Sequence, residues 1–142
     1  MPSSSQWRFI AAVFMSGLTF MGQAQEIDSR WRLRVEDSKH QVKVEATVRF
    51  LGDPATESCM GGTWKRVVVE KRTVYDEKFF PLAEPLAYQL EGGGLTLGRT
   101  AVCDGYMFLS GRSNESTIQG TYDAVSIGAS RKLGYFTLKR VP

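Results

Sequence analysis

The stretch from Gln41 to Phe50 constrains the fold more than any other part of the chain. Val42, Val44, Ala46, Val48 and Phe50 alternate with Gln41, Lys43, Glu45, Thr47 and Arg49. That period of two suits an extended strand with one dry face and one wet face, and would scatter the apolar side chains around a helix. Just upstream, Trp31, Leu33 and Val35 alternate with Arg30, Arg32 and Arg34, and Glu36-Asp37-Ser38-Lys39 supplies turn-forming residues between the two segments. The pair reads as a β-hairpin.

The same grammar continues to the end of the chain. Residues 63–75 hold Val67-Val68-Val69 and Val74, a β-branched run too continuous for strict alternation, which predicts a long central strand covered on both faces for part of its length. Leu86, Tyr88 and Leu90 precede Gly92-Gly93-Gly94, and Leu95 and Leu97 follow, giving a second hairpin. A phosphate-binding loop would need a helix after the glycines to present its N–H groups, and strand residues follow instead, so the glycines serve the turn. Residues 106–110, 117–122 and 133–140 read as three more strands, with turns expected at 111–114 and 127–130. With no amphipathic helix between them, about eight short strands imply an all-β fold, a small antiparallel barrel or sandwich.

The amino terminus points to export. Arg8 precedes an apolar run through Phe9, Val13, Leu18 and Phe20, and Gly22-Gln23-Ala24 offers the small-x-small pattern of a signal-peptidase site. Ser16, Gly17 and Thr19 interrupt the run, which falls short of the roughly 20 apolar residues that span a bilayer. The expectation is a signal peptide over residues 1–24 and a single domain over 25–142, placed in the periplasm or outside the cell, with no stable membrane insertion. In such an oxidising compartment the two cysteines, Cys59 and Cys103, most simply pair with each other. A cross-link closing a loop of about 45 residues stabilises a fold by roughly 4 kcal/mol in the chain-entropy picture.

Gly62-Thr63-Trp64, Gly120-Thr121-Tyr122 and the segment from Gly134 to Arg140 resemble the glycine-aromatic strand starts of small secreted β-barrels such as lipocalins and avidins. The resemblance implies a closed barrel over roughly residues 30–140. It transfers none of those families' ligand residues.

Composition and spacing narrow the chemistry. Lys and Arg total 18 against 15 Asp and Glu, and the basic residues fall in short scattered pairs, so no polybasic face for nucleic acid is expected. His40 is the only histidine and sits in a turn-like context, which leaves a cysteine or serine nucleophile without a base and a zinc site without ligands. Glu91, Asp104 and Asp123 are available carboxylates, but nothing in their spacing singles them out. No catalytic residue, metal or cofactor is expected.

Binding is the function that remains, in two forms. The first is recognition of a protein partner through loops, in the manner of an inhibitor or adaptor, by the Pro-containing segment that carries Phe79, Phe80, Pro81 and Leu82. The second is capture of a small hydrophobic ligand in a barrel cavity lined by Trp64, Tyr88, Tyr106, Phe108, Tyr122 and Tyr135. A structural component of the envelope stands third. Asn114-Glu115-Ser116 is a glycan acceptor triplet on a predicted turn, if the source is eukaryotic.

Overall fold

The computed structural model describes residues 29–142 apart from Thr56, Asp104 and Glu115. The expected signal peptide, with Arg8 and the cut after Ala24, lies outside the described residues. Eight strands follow one another: β1 (Arg30–Asp37), β2 (Val42–Pro54), β3 (Lys65–Tyr75), β4 (Leu86–Glu91), β5 (Gly94–Gly98), β6 (Tyr106–Asn114), β7 (Thr117–Ser126) and β8 (Ala129–Arg140). Each pairs antiparallel with its neighbours in the chain, and β8 closes on β1 from Trp31↔Arg140 to Asp37↔Gly134. The fold is therefore a closed antiparallel barrel, which settles the choice between barrel and sandwich and gives every strand a neighbour on both sides among the described residues.

Alternation decides what faces inward. Leu33, Val35, Val44, Val48, Leu97, Leu109 and Leu138 are fully buried, while Arg30, Arg32 and Arg34 stand outside. Apolar inside and charged outside is the reverse of a membrane-spanning barrel, whose outward face carries the apolar band. Aromatic rings fill the lumen. Trp31 meets Phe50 edge-on at 6.3 Å, and Phe50 meets Tyr88 at 4.8 Å. The Tyr88 hydroxyl donates to the Leu51 carbonyl at 2.7 Å.

Two inward glycines let the wall curl tightly around that filling. Gly111 and Gly120 face each other across β6 and β7, and Gly120 pairs with Phe136 on β8. A Cβ at Gly120 would lie 1.9 Å from the Ser110 carbonyl oxygen, and one at Gly111 2.9 Å from Cζ of Phe136. The space they leave is what the Phe136 ring occupies.

One seam of the barrel is weak. β3 and β4 pair only through Lys65↔Tyr88, Arg66↔Ala87 and Val67↔Leu86, while β3 continues to Tyr75 against β2 alone. The connection between them carries Pro81 and Pro85, which cannot donate to a ladder. It folds into the opening as a plug instead. Asp76 starts the turn, its carboxylate accepting from the N–H groups of Lys78 and Phe79 at 3.1 and 3.2 Å. Phe80 and Leu82 are then buried, and Arg72 on β3 donates to the Leu82 carbonyl at 3.3 Å.

Three expectations are corrected. Gly111 to Asn114 is not a turn but the last part of β6, which pairs with β7 as far as Asn114↔Thr117. The turn at 127–130 is shorter than expected, because Ala129 and Ser130 already belong to β8. The Val67-Val68-Val69 run is half-buried rather than covered on both faces. The Gly92-Gly93 turn is as expected, both residues lying at positive φ (56° and 79°) as a two-residue type I′ hairpin requires.

Candidate functional site

The six aromatic residues expected around a cavity separate into three groups. Tyr88 and Tyr122 point into the lumen and are buried. The Tyr122 hydroxyl donates to the Phe79 carbonyl and lies 3.1 Å from the Met107 sulfur, and the Phe79 and Phe80 rings meet it edge-on at 5.2 and 5.4 Å. Burial pushes the Tyr122 phenol up to about 12, against the opposing charge of Arg99. Trp64, Phe108 and Tyr106 lie outside the wall. Tyr135 also lies outside, stacked on His40 at 4.6 Å with the Lys132 ammonium 5.0 Å above its ring.

The segment first read as a display loop is placed inside. Phe80, Pro81 and Leu82 are buried and Phe79 is half-buried, so these residues form the plug rather than a surface patch. The splayed β3–β4 seam accounts for this, since an apolar lumen open on one side must be covered.

A different surface is built for contact. The β2–β3 connection folds back along the outside of β4 to β6, where Trp64 packs on Ala87 and Phe108. Trp64 stacks on Phe108 at 5.9 Å and Phe108 on Tyr106 at 5.5 Å, a ladder of three nearly parallel rings. Gly98, opposite Phe108 on β5, makes the ladder possible, because a Cβ there would sit 2.7 Å from the Phe108 ring. The Cys59–Cys103 disulfide then ties this connection to the one between β5 and β6. Backbone bonds reinforce it, from Cys59 N–H to Thr100 O and from Ala55 N–H to Trp64 O, both 2.8 Å.

Beside the disulfide the Phe108 and Tyr106 rings floor a groove of about 620 Å³, lined also by Met60, Cys103, Val125 and Ile127. Ile127 occupies the tip of the β7–β8 hairpin, held there by Gly128 at φ 77°, and is fully exposed. Sequence reasoning passed over Met60, Val125 and Ile127. The available signal was an isoleucine in Ser126-Ile127-Gly128-Ala129, where a tight turn ordinarily takes polar residues.

Other groups are dispersed or already matched. Glu91 ends β4 at one end of the barrel and accepts from Gln89 at 3.0 Å, while Asp123 lies towards the other end of the wall, bonded to Thr121. Asp104 is outside the described residues. A depression on the charged face between Arg32, Arg34 and Lys139 also holds Glu36 and Glu45, and Arg34 pairs with Glu36 at 2.7 Å. Among the described residues no group of three or more His, Cys, Asp or Glu is placed to hold a metal, and no helix is long and apolar enough to cross a membrane. Asn114 is exposed at the end of β6.

Fold and surface together define a closed eight-stranded barrel with a filled lumen and an apolar groove stapled to its outside. No protein-family model, curated protein or solved structure matches the chain.

Proposed function

We propose that the chain is an exported, non-enzymatic binding protein that recognises a protein partner through its loops, and that the partner enters the groove beside the disulfide. The observation that carries this reading is Ile127, a fully exposed aliphatic side chain on a short hairpin next to an aromatic-floored groove of about 620 Å³. Burying such a side chain against a partner stabilises the complex by roughly 1.5–3 kcal/mol, and a short turn loses little entropy on binding. Three connections from separate parts of the chain supply the walls, as in an interface presented by loops on a rigid scaffold.

The partner segment is apolar and acidic. Arg131, on β8 just past the hairpin tip, lines the opening that adjoins the groove, so a carboxylate beside the inserted apolar side chain meets a cation there. Export rests on the amino-terminal pattern and is supported by the disulfide, which persists in oxidising compartments. The carrier reading has less support, because the inward rings pack against one another.

Selection from a random displayed-peptide library tests the proposal. Enriched peptides should combine apolar and acidic residues and lose at least tenfold in affinity for Ile127→Asp, a variant whose melting temperature stays that of the parent. Absence of enrichment, or equal affinity for Ile127→Asp, overturns it.

A further inference from the structure

A second opening adjoins the groove of the proposed function, with Gly105, Tyr106, Val125 and Ser126 in the lining of both, and lies at the end of the barrel where the β7–β8 hairpin turns. Its volume is about 380 Å³, and Arg99, Met107, Ala124, Ser130 and Arg131 contribute to its lining. Met107, Ala124 and Arg131 stand side by side on β6, β7 and β8. Met107 and Ala124 continue the inward alternation of Leu109 and Tyr122, so the floor of the opening is apolar. Arg131 stands at its rim, and no ion pair is formed by it among the described residues.

Arg99 enters from the β5–β6 connection. Glu84 holds its Nη1 at 2.7 Å, its side chain is four-fifths buried, and its Nε is shielded from solvent with no hydrogen-bond partner. A buried guanidinium N–H without an acceptor is an unmet requirement that an incoming anion satisfies. Two arginines against one glutamate leave a single positive charge over, which suits a monoanion better than a phosphate dianion. The volume is that of a small-molecule site.

We infer that this opening binds a small amphiphilic carboxylate, its anion held by Arg99 and Arg131 and its short apolar part laid against Met107 and Ala124. Titration calorimetry with octanoate and octanol tests it. Octanoate should bind one to one, octanol should give no measurable heat at the same concentration, and Arg99→Gln and Arg131→Gln should each weaken octanoate at least tenfold. Arg131 is exposed at the rim, so Arg131→Gln keeps the parent's melting temperature and decides the matter if Arg99→Gln does not fold. Ile127 lines the groove and not this opening, so the neutral variant Ile127→Ser should leave octanoate binding unchanged, which separates the two sites. No heat with octanoate, octanol binding as tightly as octanoate, or unchanged affinity in Arg131→Gln overturns the inference.

Discussion

The barrel carries two sets of aromatic rings that differ in geometry as much as in place. Inside, Phe79, Phe80 and Tyr122 meet edge-on, and Tyr122 is hydrogen-bonded and wholly buried. Outside, Trp64, Phe108 and Tyr106 stack nearly parallel, under a connection held down by the packing of Trp64 itself, by backbone hydrogen bonds and by a disulfide. Strand parity assigns a ring to one set or the other: on β6, Met107 and Leu109 face the lumen, and Phe108 between them faces out. The same residue type thus seals the fold in one place and offers a surface in the other.

The largest test of that contrast is Phe80→Ala. If the inner set holds the barrel together, removing this ring leaves a cavity at the weak β3–β4 seam and costs about 3–5 kcal/mol. The melting temperature, read by circular dichroism, should fall by roughly 12 °C or more. A fall of only a degree or two would mean that the plug is an ornament on a barrel stable without it.

The paired variant Cys59→Ser/Cys103→Ser comes next and probes the outer set. Release of the loop costs about 4 kcal/mol at most in the chain-entropy picture. Because the cross-link lies outside the wall, the damage should be local. By hydrogen exchange, the Cys59 and Ala55 amides, which bond to Thr100 and Trp64, should lose protection while those of β7 and β8 keep theirs. Uniform loss of protection would show instead that the two sets form one cooperative unit.

This division explains how much could be read from the chain itself. All eight strands were visible, because a wall with one dry face writes its period directly into the sequence. Gly111 misled, since a glycine before Arg112, Ser113 and Asn114 has turn composition, whereas its role here is the close approach of Gly120 and the ring of Phe136. Phe79 and Phe80 misled for a related reason. Two prolines mark a segment that cannot pair, but whether it stands out or folds in depends on the gap between β3 and β4, which no local pattern encodes. The groove was invisible because Met60, Cys103 and Ile127 come from three distant connections, brought together by barrel closure and the disulfide.

The smallest expected effect isolates the polar part of the inner set. Tyr122→Phe keeps the ring and its edge-on neighbours but deletes the hydroxyl that donates to Phe79 and approaches Met107. The loss should be about 1 kcal/mol at neutral pH, the net worth of one buried hydrogen bond. The variant should also change the alkaline limb of stability. Burial raises the phenol from 10.0 to about 12 in the folded protein, outweighing the nearby Arg99 charge. Between those values the unfolded chain has released this proton while the folded chain still holds it, so stability is complete below pH 10 and declines as the pH rises towards 12. Denaturant titrations across that range should show the decline in the parent and a flatter limb in Tyr122→Phe. An equal decline in both would mean that the Tyr122 hydroxyl is as free to ionise as one in water, and that the inner set is held by its rings alone.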